Sequence, residues 1–319
     1  MQRIADGDAS DLERELVERD GEFLHGAFYL GSSQFYDWLR NLDDATRRGI
    51  GMKRVSEVNE LYGGNETLER VQRRDARFFN TCMMATALGA AVSDGLDDGR
   101  VVSGVGGQYN FVAMAHALPD ARSVLLLRAT RDDAGKPVSN IRWNYGHTTI
   151  PRHLRDLYIS EYGIADVRGM ADEDCVVAMV GIADARFQEG LIATAQRSKK
   201  LRADFRAPAA WTRNTPQRLH AALAPLRADG ILPDYPLGSD FTEVEQRLVK
   251  ALGWLKTNTA TQGAKLRTAA STLLASAPRD EEALERMGLQ APSGARESLY
   301  ARLLLRALAE TRRSAIESG

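Results

Sequence analysis

"GRVVSGVGGQYNFVAMAHALPDARSVLLLRAT", residues 99–130, is the stretch from which the fold is read. Val101-Val102 reads as a short strand. Glycines follow at 104, 106 and 107, "NFVAMAHAL" has the apolar spacing of a helix, and "SVLLLRAT" is the unbroken apolar run of a strand buried on both faces. Strand, glycine loop, helix and strand in succession predict an α/β layer. Glycine beside a strand weakens it, so the bare backbone at Gly104, Gly106 and Gly107 needs a reason.

The same alternation extends on either side. "FLHGAFYLG" (23–31) and "GIGMKRVSEVN" (49–59) read as strands, with the helix "SQFYDWLRNL" between them capped by Ser32 or Ser33. "DARFFNTCMMATALGAAVSDG" carries a mixed apolar run into the turn at Asp94-Gly95. "GKPVSNIRWNYG" and "DLYISEYGIADVRG" read as further strands, and "DEDCVVAMVGIA" and "ARFQEGLIATAQRSKK" as helices. The expected fold is a mostly parallel sheet flanked by helices over 23–204, behind a polar segment at 1–22 that is disordered or weakly helical. Near residue 205 the pattern changes. Prolines mark a connector, and residues 205–319 read as an all-helical extension, with caps at Ser239/Asp240 and at Asp280.

Composition narrows the function. The chain has 319 residues, a formal net charge of −1, 44% hydrophobic and 27% charged residues, so no overall charge draws it to nucleic acid or to a membrane surface. No window is long and apolar enough to span a bilayer, and no signal peptide is visible at the N-terminus. Cys82 and Cys175 sit among apolar neighbours, make no disulfide framework, and suit a reducing, cytoplasmic compartment. The five histidines have no metal-ligand spacing, and His147 and His153 are not a recognisable ligand pair. The basic cluster Arg197, Lys199, Lys200, Arg202 reads as a solvated helix end.

"GVGG" alone has neither the spacing of a dinucleotide fingerprint nor the lysine of a P-loop. Read by itself it is a tight turn, or a place where backbone N–H groups meet phosphate or developing negative charge. It is followed, however, by "SEYGIADVRG" (160–169) and "IADARFQEGL" (182–191). Together and in this order, these motifs resemble the C-terminal half of the acetyl-CoA hydrolase/transferase family, class I CoA-transferases of the 4-hydroxybutyrate and acetate branch. The family patterns are "SGVGGQ-x-D-F", "TEYG-[IV]-ADLRG" and "IAHPDFR-x-L". The departures are Asn110 for an acid, Val167 for leucine, and "ADARF" for "AHPDF". The resemblance covers residues 23–200.

The resemblance implies CoA-thioester chemistry. A glutamate carboxylate attacks an acyl-CoA, an acyl-glutamyl anhydride forms, CoA returns to give a glutamyl-CoA thioester, and a second carboxylic acid, or water in the hydrolase, completes the cycle. A carboxylate is a charged nucleophile that needs no general base, and the tetrahedral intermediates need preorganised donors. The resemblance makes Gly107 the first choice for an oxyanion donor, with Gly106 beside it. Glu161 becomes a group facing the site from a strand end, and Asn59 a holder of the nucleophile or carbonyl. Gln108 and Gly104 become contacts to coenzyme A. Read from sequence alone, Asn59 is a turn residue and Glu161 an exposed strand-end acid.

The family's nucleophilic glutamate, in a "G-x-x-[ST]-E" motif, has no counterpart here, since Glu13, Glu15, Glu18 and Glu22 lie in polar, helix-like sequence. The expectation is a half-enzyme whose N-terminal half is truncated, split into a separate partner chain, or lost. Acyl-CoA and a small carboxylate or water are the expected small-molecule partners, and self-association is open. The alternative is a non-catalytic CoA-binding or interaction module that keeps the fold, with a phosphate- or nucleotide-binding Rossmann module behind it.

Overall fold

The computed structural model describes residues 7–133, 135–274 and 277–317. The backbone contacts divide the chain into two compact units. One comprises Met1–Leu30, Asn41–Arg131 and Val138–Leu219, and the other Gly31–Arg40, Asp132–Pro137 and His220–Gly319.

The elements of the first unit begin with helix α1 (Asp11–Asp20), where Ser10 and Glu13 form a reciprocal capping box. Strand β1 (Leu24–Gly26) pairs in parallel with β2 (Ile50–Met52). Both expected strands are therefore short. The second gives way to a helical turn, Val55–Asn59, so Asn59 closes a helix rather than following a strand.

A four-stranded sheet forms the centre. Its strands are β3 (Arg77–Thr81), β6 (Arg122–Leu126), β10 (Leu157–Ser160) and β11 (Gly163–Asp166), in the order β11-β10-β6-β3. β3, β6 and β10 run parallel, so Thr81, Leu126 and Ser160 end at one edge, while β11 returns antiparallel through the turn at Glu161-Tyr162. Leu125, Tyr158 and Ala165 share a register row and all three are buried in the main core. The helices Asp172–Gly181 and Ala185–Arg197 contribute Cys175, Val176, Met179, Val180, Leu191 and Ile192 to that core. Helix Gln108–Ala117, expected from the 3.6 spacing, packs Met114 with Leu61, Leu118 and Ala121 and stacks Phe111 on Phe78 of β3.

The remaining strands do not join this sheet. β4 (Met84–Thr86), β5 (Ala91–Val92) and β9 (Ile141–Arg142) make a three-stranded sheet, and β7 (Thr130–Asp133) with β8 (Lys136–Ser139) a ribbon. Most pairings are parallel, as expected for an α/β fold, but the strands form several small sheets, because β4 turns away from β3 only two residues after it ends. Val101-Val102 supplies a single bridge, Val101 to Gly95, in place of a strand.

The second unit is helical among its described residues apart from the ribbon tip. Glu243–Asn258, Glu281–Arg286 and Ala295–Glu317 bury Leu248, Ala251, Ala283, Leu284, Leu304, Ala307 and Leu308 against one another. Asp280 caps its helix as the sequence predicts, accepting the Ala283 N–H at 3.1 Å. Ser239/Asp240 does not cap the helix that follows. Thr242 does, in a capping box with Glu245, and Asp240 instead accepts the N–H of Ser33 at the start of helix Ser33–Arg40.

Candidate functional site

The glycine loop sits at the carboxyl edge of β3. Gln108, the first residue of its helix, is buried, and its Nε2 donates to the Thr81 carbonyl at 2.9 Å, tying the loop to the strand end. Gly107 is the N-cap, with φ −87° and ψ 3°. A Cβ there would stand 3.0 Å from Asn59 Nδ2, 3.1 Å from Phe111 Cε2 and 3.3 Å from Asn59 Cβ. Gly107 is therefore glycine because the Asn59 side chain lies against it, and two residues distant in sequence are brought into contact. Gly106 has φ +59°, which disfavours any side chain, although a Cβ would meet nothing. At Gly104 a Cβ would meet nothing within 4 Å and the backbone imposes no demand, so this chain gives no internal reason for that glycine.

Among the described residues, neither Gly106 nor Gly107 donates its N–H to an acceptor, as befits the free end of a helix. Beside them is a cavity of ≈ 430 Å³ whose wall includes Asn80, Cys82, Ser93, Gly104, Gly107 and Gln108, with no ionisable acid or base other than the thiol. Burial pushes the Cys82 thiol up to about 12, so it is no nucleophile at neutral pH. Asn59 Oδ1, Asn80 Nδ2, Ser93 Oγ and Gln108 Oε1 are buried polar atoms without a hydrogen-bond partner. Such groups are costly when left unmatched, and these four lie around one loop.

Glu161 lies in the turn after β10, exposed, with Oε2 accepting the Ala129 N–H at 2.8 Å. It stands at the same sheet edge as Gly107 but two strands away, and it is not part of the cavity wall.

The opposite end of the loop is anchored by a group that sequence reading missed. The Asp94 carbonyl accepts N–H bonds from Val102 (2.8 Å) and Ser103 (3.3 Å). Its carboxylate accepts from the Thr149 hydroxyl and from His147 Nε2 at 3.0 Å, and Thr149 Oγ1 also accepts from Ser93 N. The Thr149 bond and then His147 hold the Asp94 carboxyl below the usual range against the opposing effect of burial. An ionised carboxylate only accepts, so Nε2 carries the histidine proton. The sequence carried no spacing signal for this cluster, because its members are joined only by the fold. Asn80 and Ser93 had a weak signal as polar residues at the ends of apolar runs.

Among the described residues, no cluster of His, Cys, Asp and Glu could hold a metal ion, and no helix is long and apolar enough to cross a membrane.

The sequence model of the acetyl-CoA hydrolase/transferase C-terminal domain matches residues 31–195, more than half of the chain. The chain belongs to that family. A probable butyrate:acetyl-CoA coenzyme A-transferase of Syntrophomonas wolfei is 26% identical over 174 residues, 54% of this chain and 36% of that protein. A 4-hydroxybutyrate coenzyme A transferase of Clostridium kluyveri is 22% identical over 198 residues, 59% and 43% of the respective chains. The chain thus spans less than half the length of either relative. Among solved structures, RipA from Yersinia pestis matches 55% of this chain and 37% of its own with 22% identity and a TM-score of 0.46. A 4-hydroxybutyrate CoA-transferase from Porphyromonas gingivalis matches 55% and 36% with 20% identity and a TM-score of 0.42.

Proposed function

We propose that this family member supplies the oxyanion-stabilising half of an acyl-CoA:carboxylate CoA-transferase or acyl-CoA hydrolase. The observation that carries the reading is Gly107 itself, at a helix N-terminus with the Asn59 side chain packed behind it, on the wall of a neutral polar cavity at the carboxyl edge of a parallel sheet. The N–H groups of Gly106 and Gly107 donate to the oxygen of the thioester carbonyl as it becomes an oxyanion, helped by the positive end of the helix dipole. Asn59 holds the reacting carbonyl or the attacking carboxylate, and Glu161 positions the acceptor acid or water from the next strand end but one. Gly104 leaves room for the pantetheine arm of coenzyme A, and Gln108 fixes the loop that receives it.

The attacking glutamate lies outside residues 1–319 in this reading, in the family's N-terminal half, carried on the same longer chain or on a separate one. The exposed Val101, Val102 and Val105 of the loop give that half an apolar surface to cover. The two free, buried cysteines suit a cytoplasmic setting.

The test is a thioesterase and CoA-transfer assay on residues 1–319 with and without the N-terminal half. No turnover by the chain alone and turnover on supplying the half are expected. Gly107→Pro, which deletes the N–H, should abolish turnover in the complex. Coenzyme A binding without turnover in the complex would make the chain a binding module instead, and robust transfer by residues 1–319 alone would overturn the division of labour.

A further inference from the structure

Away from the cavity wall, two guanidinium groups converge on one buried sulfur. Arg131 Nη1 lies 3.6 Å from Met84 Sδ, and Arg142 Nη1 lies 4.0 Å from the same atom. Met84 is a buried residue of β4, and Arg142 ends the adjacent strand β9. Two nitrogens that share one sulfur stand within about 8 Å of each other, inside a Debye length at physiological salt, so their charges are not screened apart.

Each guanidinium is held, and each is held by a neutral group. Arg131 Nη1 donates to Asn140 Oδ1 at 2.8 Å. Asn140 is itself buried, and its orientation is fixed because Nδ2 donates to the Arg128 carbonyl at 2.9 Å. The Arg142 guanidinium lies over the Tyr145 ring, 5.4 Å from its centroid. An amide, a thioether and an aromatic face orient the two cations without neutralising them. Among the described residues, no carboxylate forms an ion pair with either, whereas Arg122, Arg155, Arg168 and Arg186 of the same unit all have acidic partners. Preoriented like charges with unused donors are what a bidentate oxyanion requires.

We propose that Arg131 and Arg142 form an oxyanion-binding subsite that takes a phosphate or a carboxylate group bridging the two guanidinium forks. The subsite belongs to the same bonded stretch as Glu161. Asn140 N donates to the Ala129 carbonyl at 2.9 Å, and Ala129 N donates to Glu161 Oε2. An anion held there is anchored near the carboxyl edge of the sheet while the cavity itself stays free of charge. The inference goes beyond the proposed reaction, since it concerns binding by the residues of this chain alone.

The experiment is calorimetric titration of residues 1–319 at low salt with three probes: inorganic phosphate, acetate, and adenosine 3′,5′-bisphosphate. At least one should bind, and less tightly as salt rises. R131Q and R142Q should each weaken that probe about tenfold or more, and R142K, which keeps the charge but loses the planar fork, should fall between. Tightest binding of the bisphosphate assigns the subsite to a nucleotide phosphate, and tightest binding of acetate assigns it to a carboxylate. Without ligand, R142Q should melt within a few degrees of the wild type, because it breaks no ion pair and the lost contact with the Tyr145 ring is offset by a relieved repulsion. Failure of all three probes to bind the wild type, or binding by both glutamine variants as tight as that of the wild type, would overturn the subsite. Turnover is not a readout, so a negative transfer assay leaves this result standing.

Discussion

The glycines of the loop should separate stability from activity, because each is glycine for a different reason. In Gly104→Ala the new Cβ meets nothing and the backbone is permissive. Such a change restricts the unfolded chain and stabilises by up to about 1 kcal/mol. In Gly106→Ala the left-handed φ of +59° costs about 1–2 kcal/mol. In Gly107→Ala the backbone is again permissive, but Asn59 and Phe111 must each yield a few tenths of an ångström, an overpacking cost of about 1 kcal/mol. Scanning calorimetry on residues 1–319 should therefore rank Gly104→Ala at or above wild type and the other two below it. Shifts of about 2–4 °C per kcal/mol are expected for a unit of this size. Turnover in the complex with the N-terminal half should follow a different order. Gly104→Ala should lose at least about tenfold despite its stability, since one methyl group in the path of a bound ligand costs about 1–3 kcal/mol. Full activity of Gly104→Ala would show that nothing approaches that backbone. An unchanged melting temperature in Gly106→Ala would refute the conformational argument.

Asp156→Ala should destabilise by about 3–5 kcal/mol, because it leaves Arg122, Arg168 and the Ser123 N–H without their buried acceptor. Asp166→Ala, which removes the exposed second partner of Arg122, should cost less than about 1 kcal/mol, and urea denaturation of both variants checks the contrast. Cys82 and Cys175, whose thiols burial holds near about 12 and about 11, should resist iodoacetamide at pH 8 in the native protein and react only on unfolding, as read by mass spectrometry. The depressed Asp94 carboxyl contributes stability that is present above its unfolded value near about 4 and is lost as pH falls through its lower folded value. The stability gap between wild type and Asp94→Asn, measured by denaturation, should accordingly narrow below about pH 4. A gap that is constant down to pH 2 would remove Asp94 as the ionised anchor of the loop.

What the sequence determined by itself is local. The unbroken apolar run "SVLLL" became the central strand β6, the 3.6 spacing after the glycines became the helix at 108–117, and Asp280 became a cap, because burial on both faces, helical periodicity and capping are written into neighbouring residues. The order of the glycine loop, "SEYG" and "IADARF" was likewise enough to name the family. Tertiary structure decided everything that depends on proximity across the chain. It alone set Asn59 against Gly107, joined Asp94 to His147 and Thr149, and put Arg131 and Arg142 on one sulfur. It also split the strands into several sheets and left Glu161 two strands from the cavity rather than in its wall. The physical reason is that periodicity and capping are set within a few residues, whereas these contacts close long loops, and the side chains that make them carry no periodic signal.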